Sequence, residues 1–252
     1  MSDDFIFGRD RELQDLKQQL ERRKPLLVHG PEGVGKTLLS KRLTSGMPDF
    51  LYCPESKTIQ SVFRTVMEVL WQQRDDRVRH SCGSAGLAAI RSKSAKNVKG
   101  VVMEALHDGK FCLVIDHIHR PRHDFAAAIR EVLTWGCTPV ITIARSAHME
   151  DVGFLQAIYP DRSDRFEIKN FDGQRAAAFA IEISQRLHIA ALNLPEFMDR
   201  VLEYSHGNPG AIVSLLSMAA DPKYRSHEHI KIAPLYIDFR LNWNAQSAHG
   251  ND

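Results

Sequence analysis

The sequence has 252 residues, 43% of them hydrophobic and 25% charged, and a formal net charge of +2. This ordinary globular composition fits one large domain or a core with a small second domain, and the charge neither requires nor excludes nucleic acid as a partner. The four cysteines form no C-x-x-C pair, and no apolar run is long enough to span a bilayer. The acidic N-terminus does not resemble a signal peptide, so a soluble, cytoplasmic protein with no membrane partner is predicted.

Helical and strand-like patterns alternate through the first two thirds of the chain. Leu13, Leu16 and Leu20 recur at helical spacing and predict a helix over residues 10–22, and Leu26-Leu27-Val28 reads as a buried strand before a glycine-rich turn and a further helix. Later strands are predicted at 50–53, 111–115, 140–143 and 165–168, and helices at 59–70, 98–106, 124–134 and 150–158. Residues 73–96 show no clear period. The alternation predicts an α/β fold in which helices sandwich a parallel sheet.

The last third of the chain has a different pattern. Three helical stretches near 172–187, 194–204 and 209–219 predict a small helical domain. The predicted division is a core over 1–169, a helical lid over 170–224 and a tail over 225–252. In the tail, apolar residues occupy every odd position from 235 to 243, which predicts a strand with one apolar face. That strand either packs on its own domain or pairs with a sheet edge of a partner or sister subunit.

The glycine-rich turn matches G-x-x-x-x-G-K-[ST] between a strand and a helix, the context that this motif requires. Its residues are Gly30, Pro31, Glu32, Gly33, Val34, Gly35, Lys36 and Thr37. Glycines let backbone N–H groups wrap a phosphate, and the helix N-terminus favours an anion. Lys36 is expected to contact the β- and γ-phosphates, and the Thr37 hydroxyl to bind Mg²⁺. The motif therefore predicts binding of ATP with magnesium, and the alternative is a chance glycine turn.

A second magnesium ligand is expected at the end of a neighbouring strand. Asp116 follows the apolar run 111–115, and ligands of open α/β sheets bind at such strand ends. We assign Asp116 as the Walker B aspartate, and the alternative is an ordinary aspartate at a strand end. His117 comes next and is either a base for the attacking water or a sign of slow hydrolysis. His119 and His123 are close in sequence. They could form a metal cluster, but we interpret them as histidines of a solvated loop.

The strand at 140–143 ends in polar residues. If it lies between the P-loop strand and the Asp116 strand, Thr142 or Arg145 can sense the γ-phosphate. The alternative for Arg145 is a surface ion pair at a strand end.

These residues resemble the AAA+ and STAND group of P-loop ATPases, where STAND denotes signal-transduction ATPases with numerous domains. Residues 7–13 are similar to the F-x-G-R-[DE]-x-E-L box of that group, which implies that Gly8 and Arg9 border the adenine pocket. The resemblance also implies a cofactor contact at Leu38. Gly207-Asn208-Pro209 resembles the G-x-P motif of the STAND lid, in which the proline packs on adenine. Asn208 and Pro209 equally fit a plain helix start, as N-cap and first helical residue.

The segment 160–166 is similar to the AAA+ segment that carries an arginine finger, the arginine that reaches the γ-phosphate of a neighbouring subunit. We favour Arg162 over Arg165 for this role, and the alternative is a surface ion pair. The sequence departs from the family pattern at two positions, and both concern hydrolysis and not binding. His117 replaces the usual acidic residue, and the helix start at 207–209 has no arginine.

The resemblance implies an ATP-binding, ATP-hydrolysing switch whose nucleotide state controls formation of a homo-oligomer or binding of a protein partner. A DNA-associated ATPase of the transposition or replication helper type is one alternative, because residues 74–99 carry seven basic side chains against two acidic ones. No aromatic residues interleave there for base stacking, and charge runs are commonly solvated surface. A nearly inactive nucleotide-binding scaffold is the other alternative.

Overall fold

The computed structural model describes residues 6–136 and 138–249. The acidic N-terminus and Cys137 lie outside these ranges. The chain forms two compact units. The sheet unit consists of Arg11–Gly30 and Lys36–Glu167, and the helical unit consists of the described parts of Met1–Asp10, Pro31–Gly35 and Ile168–Asp252.

The sheet unit contains five parallel strands and the helices that connect them. The strands are β1 (Leu26–His29), β2 (Phe50–Cys53), β3 (Cys112–Ile118), β4 (Val140–Ala144) and β5 (Arg165–Glu167). The helices are α1 (Asp10–Glu21), α2 (Lys36–Thr44), α3 (Ile59–Gln72), α4 (Asp76–Cys82), α5 (Leu87–Ser92), α6 (Ala95–Leu106), α7 (His123–Trp135) and α8 (Met149–Val152).

The strand order is β2-β3-β4-β1-β5, with every neighbouring pair parallel. All five residues of β4 are buried, as expected for a central strand covered on both faces by helices. The predicted α/β fold with a helix-sandwiched parallel sheet is confirmed. The condition attached to Thr142 and Arg145 is also met, because β4 lies between β1 and β3.

Residues 73–96, in which no period is visible, form α4, a short 3₁₀ turn and α5. The Asp75 side chain caps α4 by accepting the backbone N–H of Arg77 and of Val78. Arg64 holds the end of α5 by donating to the carbonyl O of Ile90 at 2.7 Å and to neighbouring carbonyls. These helices are six and seven residues long, too short for a periodic pattern, and side-chain contacts fix their ends.

The helical unit contains the three helices expected after residue 170 and one further helix. Its elements are α9 (Gly173–Arg186), α10 (Leu194–Ser205), α11 (Pro209–Ala220), β6 (Arg225–Ser226), β7 (His229–Ile230) and α12 (Ile232–His249). β6 and β7 pair antiparallel. Phe179, Ile183, Phe197, Val201 and Ile212 are among the buried side chains that form the core of this unit.

The prediction of a strand in the tail is wrong, because residues 232–249 form α12. Leu235 and Phe239 are buried, and Trp243 packs on the same core, whereas Ile237 and Leu241 are more than half exposed. The buried positions are four residues apart and form one face of a helix. Two exposed apolar residues between them produced the false period of two.

Within the described ranges, none of the helices is both long and apolar enough to cross a membrane. Cys53, Cys82 and Cys112 are buried and form no disulfide with one another. Burial raises the pKa of the Cys53 thiol and of the Cys112 thiol to about 12. These thiols therefore stay protonated and unreactive at neutral pH.

Candidate functional site

The P-loop connects the end of β1 at His29 to the start of α2 at Lys36. Gly33 and Gly35 have φ values of 74° and 99°, in the left-handed region that glycine adopts without strain. Such residues let successive backbone N–H groups converge into an anion-binding concavity. Lys36 Nζ donates to the Gly30 carbonyl O at 2.7 Å, so its ammonium group lies beside the start of the loop. The half-buried residues Thr37 and Leu38 follow in the first turn of α2.

Asp116 is a buried carboxylate in β3, one strand removed from β1 across β4. Its Oδ2 accepts the hydroxyl of Tyr52 at 2.7 Å, and its Oδ1 accepts the backbone N–H of His117 at 2.7 Å. Burial, with the hydrogen bond to Asp116, raises the pKa of Tyr52, so its phenol remains a donor. Each carboxylate oxygen keeps lone pairs beyond its single hydrogen bond.

His117 lies in a bulge of β3. The pairing with β4 shifts between Ile115 and Ile118, and His117 has a φ of 55°, which is strained for a residue with a side chain. Its backbone is held on both sides, because its N–H donates to Asp116 and its carbonyl O accepts the Ser56 hydroxyl at 2.9 Å. The imidazole is 70% exposed, with Nε2 3.9 Å from Asp116 Oδ2. It is accessible for proton transfer beside the aspartate.

The two sensor candidates of β4 differ in environment. Thr142 is fully buried, and its hydroxyl donates to Tyr159 Oη at 2.9 Å. Its hydrogen bond therefore lies within the core of the sheet unit. Arg145 follows the strand, is half exposed, and lies with its Nε 3.6 Å from a carboxylate oxygen of the buried Asp151. Arg145 is therefore the remaining sensor candidate. Its ion pair with Asp151 also fits the alternative, in which Arg145 only forms an ion pair at a strand end.

The histidines near Asp116 do not form a metal cluster. His119 Nδ1 lies 3.8 Å from Asp151, while the His123 ring packs edge-on against Phe154. Across residues 6–136 and 138–249, no group of three or more His, Cys, Asp or Glu could hold a metal ion. A magnesium ion would instead need the Thr37 hydroxyl, the Asp116 carboxylate and phosphate oxygens, and oxygen ligands of this kind suit Mg²⁺.

Arg162 and Arg165 are distinguished clearly. Arg165 donates through Nε and Nη2 to the carbonyl O of Tyr159, at 2.9 and 2.7 Å, and is fixed to its own chain. Arg162 is exposed in a short 3₁₀ turn capped by Asp161 and Asp164. Within the part of the chain that the structure describes, its side chain has no hydrogen-bond or ion-pair partner. It is the arginine of this segment that is available to another molecule.

Arg9 of the N-terminal box is buried in the helical unit. Its guanidinium lies 4.3 Å from the centre of the Phe171 ring and donates through Nη2 to the carbonyl O of Lys169 at 2.8 Å and of Val34 at 3.3 Å. Gly8 precedes it with a φ of 59° and is exposed. The box therefore contacts the P-loop itself.

The start of α11 also contacts the P-loop. Asn208 caps the helix through Oδ1, and Pro209 is the first helical residue, so the plain helix start is present. In addition, Asn208 Nδ2 donates to the carbonyl O of Glu32 at 2.7 Å, and the Gly210 N–H donates to that of Gly33 at 2.9 Å. The sequence indicated the cap but gave no sign of these two contacts.

His29 and Tyr52 are site residues that the sequence reasoning missed. His29 ends β1 immediately before the P-loop and pairs with Ala144 and Glu167. Burial lowers the pKa of His29, opposed in part by the nearby Glu167 carboxylate. Tyr52 was unrecognised because its partner is 64 residues away. The one hint of Tyr52 in the sequence is that a tyrosine, with its polar hydroxyl, occurs in a predicted strand.

Comparison with known proteins bears on this site. The AAA ATPase domain family matches residues 6–143, more than half of the chain. No curated protein matches the sequence.

Several solved structures share the fold. The Walker-type ATPase of Pyrococcus abyssi is 17% identical, with a TM-score of 0.58 over 84% of this chain and 67% of that one. The ORC1 protein of Aeropyrum pernix, solved in complex with DNA, is 15% identical, with a TM-score of 0.58 over 95% and 66%. A STAND protein with a tetratricopeptide repeat sensor from Pyrococcus horikoshii is 12% identical, with a TM-score of 0.52 over 93% and 32%. The chain thus spans about two thirds of the first two proteins and about a third of the last.

Proposed function

The chain belongs to the AAA ATPase domain family, and from this premise we propose that it is an ATP-hydrolysing switch whose nucleotide state controls self-association or partner binding. One observation carries the proposal. The P-loop residues Glu32, Gly33 and Val34 are hydrogen-bonded to other segments of the helical unit. A ligand that favours one arrangement of the loop therefore also favours one arrangement of the segments bonded to it.

In this proposal the P-loop amides and Lys36 bind the phosphates. Thr37 and Asp116 hold the magnesium ion, which screens phosphate charge. Tyr52 and the His117 N–H keep the Asp116 carboxylate in one orientation. Gly8, Arg9, Leu38 and Pro209 are the proposed adenosine contacts, a role that rests on the family resemblance.

Hydrolysis would draw on three further residues. His117 is exposed beside Asp116, and an imidazole can accept a proton from water at neutral pH. Arg145 is the proposed sensor in the same subunit. Arg162 is the proposed finger, because an exposed arginine without a partner in the described chain can neutralise phosphate charge on a neighbouring subunit. The similarity to a STAND protein with a sensor domain supports a signalling role over a metabolic one.

Light scattering with and without Mg-ATP tests the proposal. We expect a larger particle with ATP and no change for Lys36→Ala. Arg162→Ala is expected to bind ATP normally but to lose hydrolysis in the assembled state, whereas an arginine outside the site, Arg200, is expected to be replaceable by alanine without effect. A particle that stays monomeric in both states would contradict the switch, and activity equal in wild type and Lys36→Ala would favour the inactive scaffold.

A DNA-associated ATPase is the second candidate. Arg74, Arg91 and Lys96 are exposed, and no other described side chain contacts their charged ends. Lys93 differs, because it donates to the carbonyl O of Ser81. The ORC1 relative was solved in complex with DNA. Salt-dependent DNA binding that is lost when Arg91 and Lys96 are neutralised would favour this candidate, and binding that survives the substitutions would count against it.

A further inference from the structure

Three consecutive carbonyl oxygens of the P-loop accept hydrogen bonds from residues that are distant in sequence. The bonds run from Asn208 Nδ2 to Glu32 O at 2.7 Å, from the Gly210 N–H to Gly33 O at 2.9 Å, and from Arg9 Nη2 to Val34 O at 3.3 Å. Two of the donors belong to the start of α11 and one to the N-terminal box. We name Arg9, Asn208 and Gly210 the P-loop clamp.

The clamp acts on the backbone groups that bind phosphate. In a trans peptide the C=O and the following N–H lie in one plane and point in opposite directions. A donor that fixes the carbonyl of one residue therefore fixes the N–H of the next. We propose that the P-loop clamp positions the amides of Gly33, Val34 and Gly35 for phosphate, and so couples phosphate binding to the start of α11.

Asn208 is suited to this role because one side chain performs two tasks. Its Oδ1 accepts the Ala211 N–H at 3.1 Å and begins α11, while its Nδ2 donates to the Glu32 carbonyl and to Asn170 Oδ1 at 3.2 Å. The helix start cannot move without changing the contact to the loop. Serine and aspartate can also cap a helix, but neither supplies the amide donor at this position.

Gly210 is suited to the clamp by its size. A Cβ atom at this position would lie 2.8 Å from Gly33 Cα and 3.0 Å from its carbonyl O. A Cβ at Gly33 would in turn lie 2.7 Å from Asn208 Oδ1. The two backbones approach so closely that both positions require glycine.

Arg9 adds charge as well as a hydrogen bond. The residue is only 5% exposed, and its guanidinium is held against Phe171. A buried cation bonded to the loop also favours an anion nearby. The three donors thus fix three carbonyls of the loop before phosphate arrives, and phosphate would have to displace the long contact of 3.4 Å from the Val34 N–H to the Pro31 carbonyl O. By reciprocity, bound phosphate stabilises the clamp.

This inference rests on the proposed nucleotide binding, and two variants test it separately. Asn208→Ser keeps a capping hydroxyl and removes the amide group that donates to the Glu32 carbonyl O. Gly210→Ala favours the helix by propensity but forces a Cβ against Gly33. Dissociation constants for Mg-ATP, Mg-ADP and inorganic pyrophosphate are to be measured by calorimetry. We expect roughly tenfold weaker binding of all three by each variant, as for the loss of about one hydrogen bond.

Asn193→Ser is the matched control. Asn193 precedes α10 and exchanges two hydrogen bonds with the backbone of Ile230, away from the P-loop. We expect this control to lower the melting temperature and leave the three dissociation constants unchanged. Asn208→Ser also loses the two hydrogen bonds of the amide and is expected to melt below wild type, so the dissociation constants, not the melting temperature, distinguish it from the control. A merely structural asparagine would behave like Asn193.

The outcomes separate the two proposals. If wild type binds neither nucleotide nor pyrophosphate, the proposed function fails. If wild type binds them and both clamp variants bind equally well, the clamp is overturned. It is also overturned if only ATP and ADP weaken while pyrophosphate does not, because the effect then acts on the base. Should Asn208→Ser fail to fold, Gly210→Ala and Arg9→Lys decide the question by the same criterion.

Discussion

Two stretches of the chain that carry candidate site residues have unusual backbone conformations, and they are held in place by opposite means. The P-loop uses glycine at its left-handed positions, Gly33 and Gly35, and its carbonyls are fixed by donors from distant segments. The bulge of β3 places His117, which has a side chain, in the same region of φ. The Asp116 carboxylate and the Ser56 hydroxyl anchor its two backbone polar groups.

The difference shows what each stretch can tolerate. In the P-loop the conformation depends on the absence of side chains, so a substitution is costly even where space is free. In the bulge it depends on the anchors, so the strained residue can be replaced as long as its backbone bonds remain. Strain of this kind is concentrated at functional sites, where the surrounding structure maintains it.

Gly35→Ala is expected to have the largest effect. An added Cβ at Gly35 meets no atom within 4 Å, so the penalty is purely conformational at φ 99°. We expect about 2 kcal/mol, or roughly thirtyfold weaker binding of Mg-ATP, because the alanine variant must be forced into the binding form. Gly100→Ala in α6, also in open space but without a positive φ, is the control and is expected to bind normally. Equal affinities in the two variants would contradict the role of backbone conformation.

Tyr52→Phe is expected to have the next largest effect. The substitution keeps the ring and leaves Asp116 Oδ2 without its hydrogen bond. A buried acceptor that loses its partner costs about 1 to 2 kcal/mol, which urea denaturation can measure, and the magnesium dependence of nucleotide binding should weaken as the carboxylate loses its orientation. Tyr204→Phe is the control, because Tyr204 stacks on Tyr236 through its ring. If Tyr52→Phe leaves both quantities unchanged, the anchor has no energetic role.

His117→Gly is expected to stabilise the protein, in contrast to the P-loop glycine variant. Glycine relieves the left-handed strain, and after its entropic cost the gain is about 0.5 to 1 kcal/mol in the free energy of unfolding. His148→Gly serves as the control, since His148 has a φ of −77° and should lose stability instead. Destabilisation by His117→Gly would mean that the imidazole contributes contacts that outweigh the strain.

The smallest expected effect is a pH dependence from His29. Its pKa in the folded state is lowered by burial from the ordinary value of 6.5, so the folded protein binds fewer protons than the unfolded chain below that pH. Stability should therefore fall as pH drops below about 6.5 and level off below the lowered pKa. His29→Gln should flatten this slope in chemical denaturation, whereas the exposed His229→Gln should not. A slope unchanged by His29→Gln would assign the dependence to other groups.

The P-loop and the parallel sheet could be predicted because their signals are local. Gly30 to Thr37 form one uninterrupted motif, and the apolar run before Asp116 marks a buried strand. The strand order cannot be derived in the same way, because no local pattern in the sequence indicates that β4 lies between β1 and β3. The prediction of a strand in the tail is wrong for a physical reason. Ile237 and Leu241 are apolar but exposed, and together with the buried residues they give an apolar residue at every second position.

The contacts that give the site its character could not be read from the sequence. The hydrogen bond from Asn208 to Glu32 spans 176 residues, and that from Arg9 to Val34 spans 25. The left-handed backbone conformation of His117 could not be predicted either, because a glycine in the sequence suggests a positive φ and a histidine does not. The sequence therefore indicates which residues can bind phosphate, and the fold determines how the loop is held ready for it.

Hydrogen exchange of the backbone amides in residues 30–38 is the most direct measurement of the central claim. With Mg-ATP present, we predict that exchange at these amides slows in the wild-type protein and is unchanged in Lys36→Ala. Exchange that stays the same in wild type at saturating Mg-ATP, or protection that appears only in another part of the chain, would contradict the claim that this loop holds the phosphates.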